Sequence, residues 1–269
     1  MTDMKGRVLI IAGSDSGGGA GIQADIKTVT ALGGFAMTAI TALTAQNTQG
    51  VHGIHEGPVD LVVQQIRVVL SDIGADSIKI GMLHRAEIID AVVDVLAEMA
   101  PGVPVVSDPV MIAKGGASLL AEAAQTALVT KLIPASRLIT PNVPEAEVLS
   151  GLGIHTREDM AQAAQALMAL GPAGVLLKGG HLADAKTVAD LLLDGADLAE
   201  LFEASRIDTP NTHGTGCTLA SAIACGMAQG MTVRDAVVRA REYVREAIRT
   251  NPGYGHGHGP LNHAHTVSD

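Results

Sequence analysis

Short runs of aliphatic and β-branched residues alternate along the chain with longer Ala-rich stretches whose apolar positions recur at helical spacing. The short runs predict strands over 7–12, 37–44, 77–80, 103–107, 137–140 and 175–178. The longer stretches predict helices over 20–32, 59–72, 86–99, 121–131, 143–151, 157–169, 216–229 and 233–250. Residues 187–194 followed by 201–208 read instead as an antiparallel hairpin. Such alternation is the pattern of βα units around a parallel sheet, here with six central strands and the hairpin at one edge. No internal repeat or long linker divides the chain, so 1–269 is expected to form one α/β domain.

Composition narrows the function classes. Hydrophobic residues make up 47% of the chain, but only 1% are aromatic and there is no Trp, so the core must rest on Ala, Val, Ile, Leu and Met. The formal net charge of -10 argues against a nucleic-acid backbone or an anionic membrane as partner. An acidic enzyme can still hold phosphates if its site is locally positive. No apolar run reaches the roughly 18 residues a membrane span needs, and the stretch 8–12 is too short for a signal peptide. Cys217 and Cys225 stand on one predicted helix, about 12 Å apart along its axis, which is too far for a disulfide. They form no metal-ligand spacing either, so a soluble protein of the reducing cytoplasm is expected. The tail 253–265 alternates Gly with His. Such tracts can chelate metals, but a Gly-rich coil folded over a surface is the expectation.

Ligands of open parallel sheets collect beyond the carboxyl ends of the strands, and the residues that follow each predicted strand are consistently polar, charged or glycine. After the last hairpin, Asn211-Thr212-His213-Gly214-Thr215-Gly216-Cys217 opens a helix. Gly214, Thr215 and Gly216 let backbone N–H groups converge at a helix N-terminus, which suits a phosphoryl group in transfer. Cys217 falls in the first helical turn, where a thiol's pKa is expected to drop. The loop after the first strand, Gly17-Gly18-Gly19-Ala20-Gly21, matches neither a dinucleotide fingerprint nor a P-loop, and reads as a cradle for a small polar ligand, with Asp25 as an acceptor or a helix-dipole residue. Gln46 carries a donor and an acceptor suited to a heteroaromatic ring with paired N and NH2 groups, and Met82 and Val110 could wall such a ring. Asn142 and Glu145 lie three apart at a helix start. Together with Asp108 they could organise Mg2+, or Asn142 and Glu145 could simply cap the helix. Lys178 ends its strand, where it could meet a nucleotide phosphate.

These pieces together resemble the bacterial hydroxymethylpyrimidine/phosphomethylpyrimidine kinases of thiamine biosynthesis, in the ribokinase superfamily. The resemblance rests on 11–15, 18–25, 41–48, 79–83, 108–111, 140–145, 177–181, 211–217 and 257–263, nearly the whole chain. It implies a three-layer α/β/α fold with a mostly parallel sheet, and ATP-dependent phosphorylation of 4-amino-5-hydroxymethyl-2-methylpyrimidine and then of its monophosphate. It further implies Gln46 on the pyrimidine edge with Gly13, Asp25, Met82 and Val110 around it, and Asn142 and Glu145 organising Mg2+. Lys178 and Thr212 would lie at the nucleotide, and Gly214, Thr215 and Gly216 would form the anion hole. Cys217 stands where many superfamily sugar kinases carry an Asp base. A homodimer is implied as well. The nearest alternative is a pyridoxal kinase of the same superfamily, and a more distant one is a non-catalytic nucleotide- or vitamin-binding regulator on the same fold.

Overall fold

The computed structural model describes residues 5–111, 122–182 and 186–267. One nine-stranded sheet runs through it in the order β3-β2-β1-β4-β5-β6-β7-β8-β9. The six strands read from apolar runs are its parallel centre: β1 (Arg7–Asp15), β2 (Phe35–Asn47), β4 (Ser77–Ile80), β5 (Val105–Ser107), β6 (Leu138–Ile139) and β7 (Gly174–Lys178). Their continuous apolar character follows from burial on both faces. In β1, Leu9 and Ile11 pack into one core while Val8, Ile10 and Ala12 pack into the other.

The first core carries α2 (Val59–Asp72), α3 (Ala86–Met99), α5 (Val143–Ser150) and α6 (Arg157–Met168); α1 (Gly21–Ala31), α7 (Thr215–Ala228) and α8 (Val233–Arg249) cover the second. Three layers result, α/β/α, as the sequence implied. The helix expected over 121–131 begins at residues outside those described. Its described part is a short α4 (Glu122–Ala127) that widens into a π turn, Leu128–Leu132.

Both sheet edges are antiparallel, not one. The hairpin of β8 (Thr187–Asp194) and β9 (Leu198–Ser205) was expected, but β9 lies three residues earlier than the predicted 201–208 because Asp194 pairs directly with Leu198 across a short turn. At the opposite edge β3 (Gly50–Glu56), absent from the sequence reading, pairs with the extended end of β2. Its sequence, Gly-Val-His-Gly-Ile-His-Glu, has little apolar alternation because neither face is fully buried.

After α8 the chain runs back across the carboxyl edge as a coil. His258 N donates to Thr48 O (2.8 Å) and His213 N to Gly259 O (3.1 Å), so the tail straps the β2–β3 turn to the segment before α7. Among the described residues no group of three His, Cys, Asp or Glu is placed to hold a metal ion. His263 anchors the strap: its Nε2 lies 3.0 Å from Thr218 Oγ1, and Tyr243 Oη donates to its carbonyl. Burial, helped by Lys27 and His265, holds this imidazole down at about 4, against 6.5 ordinarily. The folded protein therefore resists protonating His263 more than the unfolded chain does. The associated stability is complete above pH 6.5 and drains away as the pH falls to about 4, by up to about 3 kcal/mol. Unfolding free energies across that window should show the loss. His263→Asn should flatten it, and an unaltered slope would place the acid sensitivity elsewhere.

Candidate active site

Because the central strands are parallel, their carboxyl ends deliver residues to one edge. The sheet order reverses between β1 and β4, since the chain goes from β1 outward to β2 and β3 and then returns to continue on the other side. A crevice opens at such a reversal.

The β1 side of the crevice is built on close backbone approach. A Cβ on Gly13 would stand 2.6 Å from Met82 Cε, so the Met82 methyl packs directly over Gly13 and only glycine leaves it room. Gly21 has φ +54 and lies against the Gly13 carbonyl, a position only glycine fills without strain. Thr41 Oγ1 fixes Met82 by donating to its carbonyl (2.7 Å). Val110 is half-buried just past β5, in a turn closed by its own N–H to Asp108 O (2.8 Å). Gln46, half-buried at the end of β2, reaches His213 and Thr44.

Asp25 does not offer the free acceptor expected of it. Its side chain is wholly buried, with one oxygen 2.8 Å from Lys79 Nζ and the other accepting from Ser221 Oγ (2.7 Å). Burial pushes the carboxyl up while Lys79 and Ser221 pull it down. Burial alone would depress Lys79, but Asp25, Cys217 and Asp108 around it outweigh that and hold the ammonium above its ordinary value. We read the contact as an ion pair beneath the site.

The other side of the site begins at Gly214, the N-cap of α7, with φ +82 and its α-carbon packed against the Gly19 carbonyl. Thr218 N to Gly214 O is the first bond of the helix (2.9 Å) and Thr215 N makes a long bond to Thr212 O (3.4 Å), so the N–H groups of Gly216 and Cys217 are the ones that point out of its end. A Cβ on Gly216 would meet Asp108 Oδ2 at 3.1 Å and Lys178 Nζ at 3.3 Å, which places the start of α7 directly beside those charges. Asp108 Oδ1 accepts from Lys178 Nζ (2.8 Å) and Thr140 Oγ1 (3.0 Å). Asn142 and Glu145 form a reciprocal capping box on α5 (2.8 and 2.9 Å). Capping does not compete with a site role here, because it fixes both side chains at the cluster. Burial pushes the Glu145 carboxyl up to about 7, Asp108 adding to it while Lys178 opposes.

Cys217 departs from the sequence expectation in its charge. Its thiol is pushed up to about 11, mainly by burial, with Asp25 and Asp108 adding to the effect and Lys79 and the Gly21 N–H working against it.

Four contributors went unassigned in the sequence: Asp15, His213, Lys79 and Thr140. Asp15 accepts from the N–H groups of Gly17, Gly19 and Ala20 (2.8, 3.1 and 2.8 Å) and from His213 Nε2 (3.0 Å). It thereby ties the β1–α1 loop to the loop before α7. A charged residue inside an otherwise apolar central strand was the available signal for Lys79; His213 lay unassigned within the quoted motif.

A cavity of about 520 Å3 opens from the same cluster. Asn142, Lys178, Thr212, Thr215 and Gly216 line its polar end, and Val188, Ile207, Leu219, Val244 and Ile248 give it apolar walls. A polar cradle continuous with a partly apolar slot, at the reversal point of a mostly parallel sheet, defines a ribokinase-like small-molecule kinase. The sequence profile of phosphomethylpyrimidine kinases matches residues 15–262. The bifunctional thiamine biosynthesis protein ThiED of Geobacter sulfurreducens is 52% identical over 265 residues, which cover 98% of this chain and 54% of that protein. The hydroxymethylpyrimidine/phosphomethylpyrimidine kinase of Streptomyces coelicolor is 47% identical over 97% of this chain and 96% of its own. Among solved structures, the ADP complex of Bacillus subtilis pyridoxal kinase superposes with a TM-score of 0.88 at 36% identity, covering 97% of this chain and 98% of that one. The chain belongs to the phosphomethylpyrimidine kinase family.

Proposed function

We propose that the protein transfers the γ-phosphoryl group of ATP to the hydroxymethyl group of 4-amino-5-hydroxymethyl-2-methylpyrimidine and then phosphorylates that monophosphate to the diphosphate, in thiamine biosynthesis. The observation that carries this reading is the N-terminus of α7, which lies between the Gln46 crevice and the cavity that Lys178 enters. The adenine would occupy the apolar slot, with Lys178 and Thr212 at the phosphates. The N–H groups of Gly216 and Cys217 would stabilise charge on the group in flight, with Gly214 and Thr215 shaping the turn that presents them. Gly13, Met82 and Val110 would hold the pyrimidine flat against Gln46. Asp25 would act from below, through Lys79 and Ser221. ATP consumption with product mass, measured against this pyrimidine, its monophosphate, pyridoxal and ribose, tests the reading. Turnover of pyridoxal alone would move the protein to the pyridoxal kinases, and nucleotide binding without turnover would make it a regulator. A homodimer belongs to the same reading and is checked by sedimentation.

Mg2+ fits the donor set. Glu145 and Asp108 are buried carboxylates, and the charge of Asp108 adds to the burial that pushes the Glu145 carboxyl up, a conflict that a divalent cation relieves. When bound there, the ion would neutralise phosphate charge. Glu145→Gln should lower activity and raise the Mg2+ concentration needed for half-maximal rate; an unchanged Mg2+ dependence removes Glu145 from that role.

The two transfers differ in their need for a base. The first acceptor is an alcohol, whose proton must leave; the second is a phosphate already ionised at neutral pH. With its thiol held at about 11, Cys217 is protonated at rest. The first transfer should therefore accelerate as pH rises from 7 toward 9.5, because the thiolate fraction increases throughout that range. Cys217→Ala should slow the first transfer about a hundredfold and abolish that slope, with far less effect on the second. Single-turnover rates for each acceptor decide it. Equal slowing of both steps would make Cys217 a shaping element of the anion hole.

A further inference from the structure

The amide of Gln46 is flanked by two side chains whose own bonds dictate which way it points. Gln46 Nε2 lies 3.2 Å from His213 Nε2, and Gln46 Oε1 lies 3.2 Å from Thr44 Oγ1. Each contact conflicts with another bond made by the same neighbour. His213 Nε2 is 3.0 Å from an Asp15 oxygen, and Asp15 is ionised. Burial works to raise it, but His213 and the N–H groups of Ala20 and Gly17 outweigh burial and hold its carboxyl below the ordinary range. A carboxylate only accepts, so the proton must be on His213 Nε2, and that nitrogen cannot also accept from an amide NH2. Thr44 Oγ1 has one hydrogen, which it donates to Ser14 O (2.9 Å), so it can only accept from Gln46. A half-turn of the amide resolves both conflicts, since the positions of O and N in a carboxamide are assigned by their partners.

The one hydrogen on His213 Nε2 is then shared between the Asp15 carboxylate and the Gln46 C=O, while the Gln46 N–H donates to the Thr44 hydroxyl and that hydroxyl to the Ser14 carbonyl. This arrangement uses the inner lone pair of the oxygen and the inner hydrogen of the nitrogen. The outer edge of the amide remains available, with its acceptor on the His213 side and its donor on the Thr44 side. That edge is complementary to an amino group adjacent to an unprotonated ring nitrogen. A ring carrying C=O next to N–H presents the reverse order.

We propose that His213, locked by Asp15, is a positioning residue that fixes the polarity of Gln46 and so selects 4-aminopyrimidines over 4-oxopyrimidines of the same shape. This rests on the reading of Gln46 as the contact to the pyrimidine edge. Reversing the amide would set N–H against N–H at His213 and lone pair against lone pair at Thr44. The protein therefore resists adapting to the wrong ring, and each buried mispaired group adds to the discrimination.

The test compares kcat/KM for 4-amino-5-hydroxymethyl-2-methylpyrimidine with that for its 4-oxo counterpart. The wild type should prefer the amino ring about a hundredfold or more. His213→Leu keeps bulk without the donor, and Thr44→Val keeps shape without the acceptor; each should reduce that ratio about tenfold or more, with KM for ATP little changed. His213→Gln, which restores an N–H at the place of Nε2, should keep the ratio within about threefold of wild type. Thr44→Val decides alone if His213→Leu fails to fold. An unchanged ratio in a folded variant that still phosphorylates the amino ring overturns the inference and leaves the functional reading intact. Wild-type protein that phosphorylates neither ring overturns both.

Discussion

Gly214→Ala should reduce turnover by about a hundredfold to a thousandfold, the loss that follows when an oxyanion donor is displaced. Two independent facts set this expectation. The residue has φ +82, where an L side chain is strained, and its Cβ would collide with the Gly19 carbonyl. Relief requires the start of α7 to withdraw from the β1–α1 loop, which carries the N–H groups of Gly216 and Cys217 away from Lys178 and Asp108. The left-handed φ alone costs an alanine about 1–3 kcal/mol, and the protein should stay folded if that withdrawal relieves the collision. The informative pair of measurements is the single-turnover rate at saturating ATP and a thermal melt. A folded variant within tenfold of wild-type rate would show that transition-state charge does not develop at this helix end.

Lys79→Met should destabilise the protein by about 3–5 kcal/mol, the effect of leaving a buried charge without its partner. Lys79 and Asp25 are both fully buried and meet at 2.8 Å. With Lys79 gone, Ser221 alone faces the Asp25 carboxylate, and the Cys217 thiol loses the cation that works against its burial. The double replacement Lys79→Met with Asp25→Leu should recover most of the stability, since matched apolar groups can substitute for a buried pair, but not the activity. Urea unfolding of the wild type and the two variants checks this. A Lys79→Met loss under 1 kcal/mol would mean that water or a rearranged partner already satisfies Asp25.

What could be read beforehand was what local chemistry determines. The apolar runs of β1, β4 and β7 are dictated by burial on two faces, and Gly214-Thr215-Gly216 could be recognised by its backbone freedom at a helix start. The capping pair Asn142 and Glu145 is likewise a three-residue pattern. Edge structure was less accessible. Strand β3 carries two His, two Gly and a Glu because solvent reaches it, and its pairing with β2 is visible only once β2 extends to Asn47. The start of β9 was misplaced because turn geometry, not hydrophobicity, sets its register. In the site, the missing information was electrostatic. The expected fall in the Cys217 pKa considered only its own helix, whereas the value follows from burial among Asp25, Asp108 and Lys79, residues remote in sequence. Asp25 looked like a ligand acceptor because its partners, Lys79 and Ser221, lie 54 and 196 positions away.

The strap over the carboxyl edge bears on the order in which the molecule assembles. Asp15 meets His213 across 198 positions, and Thr48 meets Gly257 across 209. Contacts of such sequence separation carry the greatest loop-closure cost and are the slowest to form. The sheet centre from β1 to β7 can pair while the chain is still being made. The carboxyl edge is not complete until residues near 260 have left the ribosome and laid themselves against Thr48 and Asn211. Competence to bind is thus a late event in the life of each chain, separated in time from the collapse of its core.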